Sequence, residues 1–352
     1  MRKLASIQMV ESVRKHPNAD TLDLVQVKGW QVVSRMGEFK AGDKVVFFET
    51  DSFLPIRNEY EFLRKSCFRS TPYLGDGFRL RTIRLRGELS QGLVMSLASV
   101  RILDPNIAID TDLTDILEVK KWEPPIPTNL EGNMKGGFPS FIKKTDQERI
   151  QNCYSEMSDL YVFRGEDLEW HMEEKMDGSS CTIYHYQGNV GICSHNVELN
   201  LDGENKTNNS FVMTAIREGY LDALSTLGFD IAVQAELCGP GIQKNRYALK
   251  EHTLFIFDIW LIKDQCYALQ DVKNFIIERL ASAGANVHVV PYLGKRTFRY
   301  FLTEALAEAD GMSQVNPKSM REGIVFKSAN LINGQVVSFK AVSNQFLVSE
   351  KE

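Results

Sequence analysis

The sequence predicts an α+β chain in two parts, a small antiparallel β-barrel followed by a domain of antiparallel sheets and helices. Four observations carry that expectation. Residues 1 to about 100 alternate apolar and polar side chains at period two in short runs, such as 22–27 and 44–48. Turn signals at Gly29, Gly37, Gly42 and Gly75 to Gly77 separate those runs. Pro124, Pro125 and Pro127 then forbid regular structure. From residue 175 onward, strand-like stretches alternate with amphipathic helical ones.

Composition sets bounds on function. A chain of 352 residues has room for two cores. Its net charge of -5 excludes a uniformly basic coat, so contact with nucleic acid must come from local patches. The six cysteines, at 67, 153, 181, 193, 238 and 266, form no Cys-x-x-Cys pair, which argues against a zinc knuckle or redox dithiol and for a reducing compartment. No apolar run is long enough to span a bilayer, and Met1-Arg2-Lys3 leads directly into an alternating pattern without a signal peptide. An intracellular protein, cytoplasmic or nuclear, is expected, acting as a monomer away from membranes.

Taken in order, residues 1–122 make the barrel domain. Within it, His16-Pro17-Asn18-Ala19-Asp20-Thr21-Leu22 resembles the opening of OB-fold domains of the tRNA-binding type. Residues 78–87 hold Arg79, Arg81, Arg84 and Arg86. Arg79 and Arg81 share a face, while Arg84 and Arg86 switch faces unless a bulge intervenes near Thr82. The cluster reads equally as a charged edge strand or as a phosphate-contacting surface. Residues 123–137, with the prolines and Gly132 to Gly137, form a linker. The second domain is residues 138–352. Thr145 or Asp146 caps its first helix. Residues 209–224, 270–281 and 301–309 read as amphipathic helices, and residues 231–236 and 253–259 as strands.

Chemistry concentrates in Glu174-Lys175-Met176-Asp177-Gly178-Ser179-Ser180, just before a strand-like run at 181–186. A lysine that attacks an electrophile must be unprotonated, and lowering its pKa from 10.4 by about three units costs roughly 4 kcal/mol. A negatively charged acceptor also needs a metal, which Asp177 can help position. Gly178 permits a close turn beside a ligand. The same residues equally describe a polar turn entering a strand.

Order separates these readings. Downstream stand Ser194-His195-Asn196, Glu236-Leu237-Cys238-Gly239, Phe257-Asp258-Ile259-Trp260, Glu322-Gly323-Ile324-Val325-Phe326-Lys327 and Ser338-Phe339-Lys340-Ala341. The series resembles motifs I, Ia, III, IIIa, IV and V of the covalent nucleotidyltransferases, the superfamily of ATP-dependent ligases and capping enzymes. Residues 138–152 resemble the segment that opens the catalytic domain of Deinococcus-type RNA ligases, which carry an N-terminal OB domain. The resemblance spans nearly the whole chain. It implies an OB-fold nucleic-acid-binding domain ahead of an ATP-grasp-like adenylation domain, with ATP and Mg2+ or Mn2+ as cofactors. RNA, or a nicked duplex containing it, is the implied partner.

The roles follow from the same resemblance. Lys175 attacks the α-phosphorus of ATP to give a lysyl-adenylate, AMP passes to a 5′-phosphate, and a 3′-hydroxyl displaces it. Asp177, Lys327 and Lys340 complete the catalytic set, the lysines on the α-phosphate. Glu236 contacts the ribose and, with Asp177 and Glu322, belongs to the metal group. Phe257 and Val325 flank the adenine, although both also suit an ordinary strand core. Lys144 and Arg149 are candidates for the triphosphate tail, or simply part of a capped surface helix. Glu173, Gly178 and His195 complete the nucleotide pocket.

Three features distinguish this chain. Motif V has Ser338 where lysine is common, which removes a phosphate cation. Motif Ia has His195 where arginine is common, which makes nucleotide binding weaker or more pH-sensitive. Ser179-Ser180 follow Gly178, whereas DNA ligases place an arginine two residues after the glycine. The chain also stops twelve residues after Lys340, leaving no room for the C-terminal OB domain of DNA ligases and capping enzymes. An RNA ligase is therefore expected. The alternatives are a DNA ligase or guanylyltransferase, or a catalytically weak RNA-binding protein that keeps the domain as scaffold.

Overall fold

The computed structural model describes residues 2–122 and 133–349. The chain divides into two compact units, residues 1–125 with 347–352, and residues 126–346. In the first unit, β1 (Ala5–Lys15), β2 (Leu22–Val27), β3 (Trp30–Arg35) and β4 (Lys44–Phe48) are followed by β5 (Ser52–Pro55) and the short helix α1 (Arg64–Cys67). After them come β6 (Phe68–Thr71), β7 (Gly75–Arg79), β8 (Thr82–Leu85), β9 (Glu88–Gln91), β10 (Leu93–Ser96) and β11 (Lys120–Lys121).

One sheet has the order β10-β4-β1-β2-β3 and a second the order β11-β5-β7-β6. β1 serves two neighbours. Ala5 to Met9 pair with β4, Val10 to Lys15 pair with β2, and the register slips between Val10 and Ser12. That bulge bends the strand and curls the sheet. β4 reads Lys-Val-Val-Phe-Phe because both its faces are buried. Val45 and Phe47 pack with Trp30, while Val46 and Phe48 pack with Leu54 and Phe78.

The arginine-rich stretch is not one strand. β7 ends at Arg79, and β8 turns back on β9 through Arg86 and Gly87, both at positive φ. Two consecutive positive-φ residues match the twist of a tight hairpin. The question of which face the four arginines share is thus removed by the break at residues 80 and 81.

The second unit begins, among described residues, with a difference from expectation. Met134–Gly137, assigned to the linker by composition, forms strand β12. It pairs antiparallel with β17 (Val197–Leu199), and backbone pairing overrides the local glycine signal. Residues 123–132 of that linker lie outside the described residues. β13 (Glu148–Arg149), α2 (Ile150–Arg164), β14 (Glu169–Lys175), β15 (Ser179–Tyr186) and β16 (Asn189–Cys193) complete the run up to β17. Helices α3 (Asn205–Asn208), α4 (Ser210–Arg217) and α5 (Tyr220–Leu227) follow, then β18 (Ile231–Cys238), β19 (Thr253–Leu261) and β20 (Cys266–Tyr267). The rest is α6 (Gln270–Ser282), β21 (His288–Val289), β22 (Tyr292–Thr297), α7 (Phe301–Ala309), β23 (Gly323–Ser328), β24 (Ser338–Val342) and α8 (Asn344–Ser349).

The larger sheet has the order β12-β17-β16-β15-β18-β19-β20, with β21 beside β19, and the smaller has the order β13-β24-β23-β14-β22. Residues of α4, α5 and α6 pack against the larger sheet through Phe211, Leu224 and Leu280 on Ile183, Val233 and Leu254. Met157 of α2 and Phe301 of α7 pack with Trp170, Phe326 and Phe339 of the smaller sheet.

Two helix expectations need correction. The single helix expected at 209–224 is two, because Gly219 sits at φ +75 and a Cβ there would approach Gly284 O at 3.0 Å. The first helix is not capped by Thr145 or Asp146. It starts at Ile150 with extended Arg149 at its cap and no side-chain cap bond, since Glu148 and Arg149 are occupied as β13 beside β24.

Candidate active site

β14 ends at Lys175 in the smaller sheet, and Met176 to Gly178 carry the chain into β15 of the larger sheet. This crossing requires glycine at 178. A Cβ there would stand 2.5 Å from Leu237 O and 2.8 Å from Cys238 Sγ and Glu236 Cγ. The Gly178 N–H donates to Glu236 Oε1 at 3.1 Å. Asp177 is fixed on both sides. Its N–H donates to the Tyr247 hydroxyl at 2.6 Å, and its carboxylate accepts from Arg246 Nε at 2.6 Å.

A cavity of about 170 Å³ opens at this crossing. Strand register explains its lining. Glu173 lies opposite Val325 on β23, and Val325 lies opposite Lys340 on β24. Opposed residues point to one face, and so do residues two apart on a strand, which adds Lys175 and Lys327. Trp170, Met172, Ile324 and Phe326 alternate into the core on the other face. The larger sheet contributes Ser180 and Glu236, which are cross-strand partners, and Phe257. His195 and the segment from Thr145 to Gln147 also line the cavity.

Phe257 is presented by a bulge. β18 pairs Gln234 with Asp258 but Ala235 with Ile256, so Phe257 has no ladder partner. Such a bulge re-aims side chains and releases a carbonyl from the ladder. The released Phe257 carbonyl accepts from Lys327 Nζ and from Lys273 Nζ.

Charge is balanced in two groups. Lys175 Nζ donates to Glu322 Oε2 at 2.6 Å. Burial alone would lower the Lys175 pKa, but Glu322, Glu236 and Asp177 outweigh it and hold the amine above its ordinary value. The sequence argument expects a lowered pKa, and the surrounding carboxylates reverse it in the protein alone. Glu236 is pushed up to about 8 by burial, against the pull of Lys175, with Glu322 and Asp177 adding to the rise.

The second group is a buried cluster of two lysines and two carboxylates. Lys327 Nζ donates to Glu173 Oε2 at 2.7 Å and to Asp258 Oδ1 at 2.8 Å, while Lys273 Nζ donates to Glu173 Oε1. Burial would raise Glu173, but Lys327 and Lys273 hold it below the usual range. Burial and Lys327 together lower Lys273.

Of the residues singled out in the sequence, Glu173, Lys175, His195, Glu236, Phe257, Val325, Lys327 and Lys340 meet at the cavity. Glu322 joins through Lys175, and Gly178 through Glu236. Asp177 is engaged by Arg246 instead of lining the cavity. Lys144 is exposed and bonds Asn196 Oδ1 at 3.1 Å, and Arg149 is buried beneath β24 pairing, so neither lines it. Lys273, Asp258, Arg246 and Tyr247 were missed by sequence reasoning. Lys273 left a trace, since it occupies the buried stripe of α6 with Ile276 and Leu280.

The donor set suits a divalent cation. Glu236 and Glu322 face one ammonium, and burial, with Glu322 and Asp177 adding to it, pushes Glu236 up to about 8, a cost that a bound cation would offset. Among the described residues no three His, Cys, Asp or Glu groups form a ready ligand set. Magnesium and manganese suit such a site, since an ion of this kind takes one or two carboxylates and fills its shell with substrate phosphates and water.

A profile of an OB-fold domain matches residues 4–97, and the RNA ligase profile matches residues 168–342. No curated protein matches the chain in sequence. Among solved structures, a Glu-to-Ala variant of the Naegleria gruberi RNA ligase with ATP and Mn is 36% identical, covering 100% of both chains at a TM-score of 0.91. The same ligase with PPi is 36% identical over 99% of this chain and 98% of its own, at 0.90. A Lys-to-Met variant with AMP and Mn is 36% identical over 98% of each, at 0.89. An OB-fold domain, a lysine at the mouth of a cavity between two sheets, and similarity sustained end to end lead to one conclusion: the chain belongs to the RNA ligase family.

Proposed function

We propose that this ligase uses ATP with magnesium or manganese to join 3′-hydroxyl and 5′-phosphate ends of RNA, chiefly at nicks whose 3′-hydroxyl strand is RNA. The observation that carries the reading is Lys175, held 2.6 Å from Glu322 at a cavity flanked by Phe257 and Val325. Adenine stacks on Phe257 with Val325 on its other face, and Glu236 contacts the ribose. A bound divalent cation supplies charge neutralisation at the phosphates.

Lys175 Nζ gives up a proton, for which Glu322 Oε2 is the acceptor within reach. The Nζ–phosphorus bond then forms as the bond to pyrophosphate breaks, and pyrophosphate leaves with the electron pair. Lys327 and Lys340 offset negative charge at the α-phosphate. Lys144, next in the chain to the cavity-lining Thr145, and Arg149, whose partner on β24 is the cavity-lining Lys340, are the candidates for the triphosphate tail outside the cavity itself. In the second step a 5′-phosphate oxygen takes AMP from Nζ. In the third, the 3′-hydroxyl oxygen attacks that phosphate and gives up its proton to solvent, while the bond to AMP breaks and AMP leaves with the electron pair. Asp177 acts as a positioning residue, anchoring the loop after Lys175 through Arg246 and Tyr247.

The six cysteines are free thiols, which supports work in a reducing intracellular compartment; a monomer is the proposed state. Among the described residues no helix is long and apolar enough to cross a membrane.

The test is incubation of the full chain with labelled ATP and magnesium. A covalent AMP adduct is expected on the parent protein, mapped to Lys175, and none on Lys175→Ala. Label on the mutant chain would rule out Lys175. A GMP adduct in place of AMP would favour capping, and no adduct at all would leave an RNA-binding protein.

A further inference from the structure

The N-terminal unit presents an aromatic and basic face that the adenylation chemistry does not use. It belongs to the sheet β11-β5-β7-β6. Lys120 lies opposite Phe53, and Phe53 lies opposite Arg79. Directly opposed residues share a face, so these three point away from the core side held by Leu54 and Phe78. Gly77 lets the Phe53 ring lie against the backbone, since a Cβ there would meet that ring at 2.5 Å. Trp122 rests on Phe53 with centroids 5.6 Å apart, and the Arg79 guanidinium covers Trp122 at 4.6 Å. Tyr73 stands 6.2 Å from Trp122 and remains 40% exposed.

Local charge opposes that of the chain. Residues 65–81 and 120–121 contain Lys65, Arg69, Arg79, Arg81, Lys120 and Lys121 against one acid, Asp76, in a protein of net charge -5. The exposed Tyr73 ring and the half-buried Trp122 ring, set among cations, complement a strand in which flat bases alternate with phosphates. A duplex hides its base faces and gives such rings nothing to stack on.

We propose that this face binds a single-stranded segment of the RNA substrate, stacking a base on Tyr73 beside Trp122 while Lys120 meets a phosphate. That the strand is RNA rests on the ligase reading above.

The test uses the full chain and a fluorescent oligouridylate of about twelve nucleotides without a 5′-phosphate, long enough for one such site. Anisotropy is followed across a salt series. Tyr73→Ala is expected to raise Kd about tenfold, as loss of one stacked base does, while Tyr73→Trp holds it near the parent value. Lys120→Gln, at an exposed position, is expected to reduce the log–log salt slope by about 0.7, the value of one phosphate contact to a single strand. Parent-like affinity and salt slope in both Tyr73→Ala and Lys120→Gln would overturn the proposal. So would equal loss by Tyr73→Ala and Tyr73→Trp, or a blunt-ended RNA duplex bound as tightly as the single strand. Adduct formation with labelled ATP by the parent protein reads the ligase assignment separately. Adduct without Tyr73-dependent RNA binding defeats the face alone, and Tyr73-dependent binding without adduct defeats the ligase reading alone.

Discussion

Lys273 has an ammonium that barely meets water, at 1% exposure, and its partners are Glu173 and the bulged Phe257 carbonyl. Removing one member of a buried ion group leaves the other charge uncompensated, at a cost of about 3–5 kcal/mol. Here Lys327 still pairs with Glu173, so Lys273→Met is expected to destabilise by about 3 kcal/mol, the lower end of that range. Adding Glu173→Gln, which removes the charge left behind, is expected to recover more than half of the loss. Chemical denaturation of the two single variants and the double variant gives the coupling directly, and additive losses would show that the two residues do not act together. At this scale, sequence revealed the residues whose chemistry is intrinsic, such as the lysine of Lys175-x-Asp177-Gly178. It did not reveal Lys273, Arg246 or Tyr247, because their importance arises from partners about 70 to 100 positions away. The Lys175 pKa was misjudged for the same reason, since three carboxylates from separate elements determine it.

Elements were legible where one periodicity governs them and illegible where tertiary pairing does. The strands at 22–27 and 44–48 and the helix at 301–309 appear as read, while β12 and β13 form only because β17 and β24 are there to pair with. The junction of α4 and α5 shows how a local break serves the larger fold. Gly219 turns the chain, and the preceding Glu218 is buried, with its carbonyl accepting from Asn286 N at 2.8 Å and its carboxylate facing Leu254 N at 3.4 Å. Burial pushes that carboxyl up to about 7, against an ordinary value of 4.5. Between those values the folded protein holds a proton that the unfolded chain releases. Glu218 therefore contributes stability that is present below pH 4.5 and is lost as the pH rises through 7. Glu218→Gln is expected to flatten the fall of melting temperature between pH 5 and pH 8 relative to the parent. An unchanged slope in that window would assign the pH dependence to other groups.

A division into two domains is expected from the proline run and from the change of period, both of which are local properties of the chain. What each unit contributes to substrate choice is an expectation drawn from motif order. In the proposed mechanism adenylation needs ATP, Lys175 and the cavity of the second unit, whereas the final attack also depends on how the 3′-hydroxyl terminus is held. A 2′-hydroxyl can be read there by hydrogen bonding and through the A-form geometry it favours, and a misplacement of about 1 Å at the attacking oxygen costs on the order of a hundredfold in rate. Ser179-Ser180 after Gly178, in place of the arginine pattern of DNA ligases, and the order of domains both resemble RNA ligases. Nicks with a few ribonucleotides on the 3′-hydroxyl side are therefore expected to be sealed at least tenfold faster than all-DNA nicks, with ~1.4 kcal/mol as the corresponding barrier difference. The sugar on the 5′-phosphate side should matter less. Four nicked duplexes that differ only in those two sugars, sealed under single-turnover conditions, separate the effects. Faster sealing that follows the 3′-hydroxyl strand alone supports terminus reading, while equal rates on all four would mark a general polynucleotide ligase and remove ribose from the list of things this protein reads.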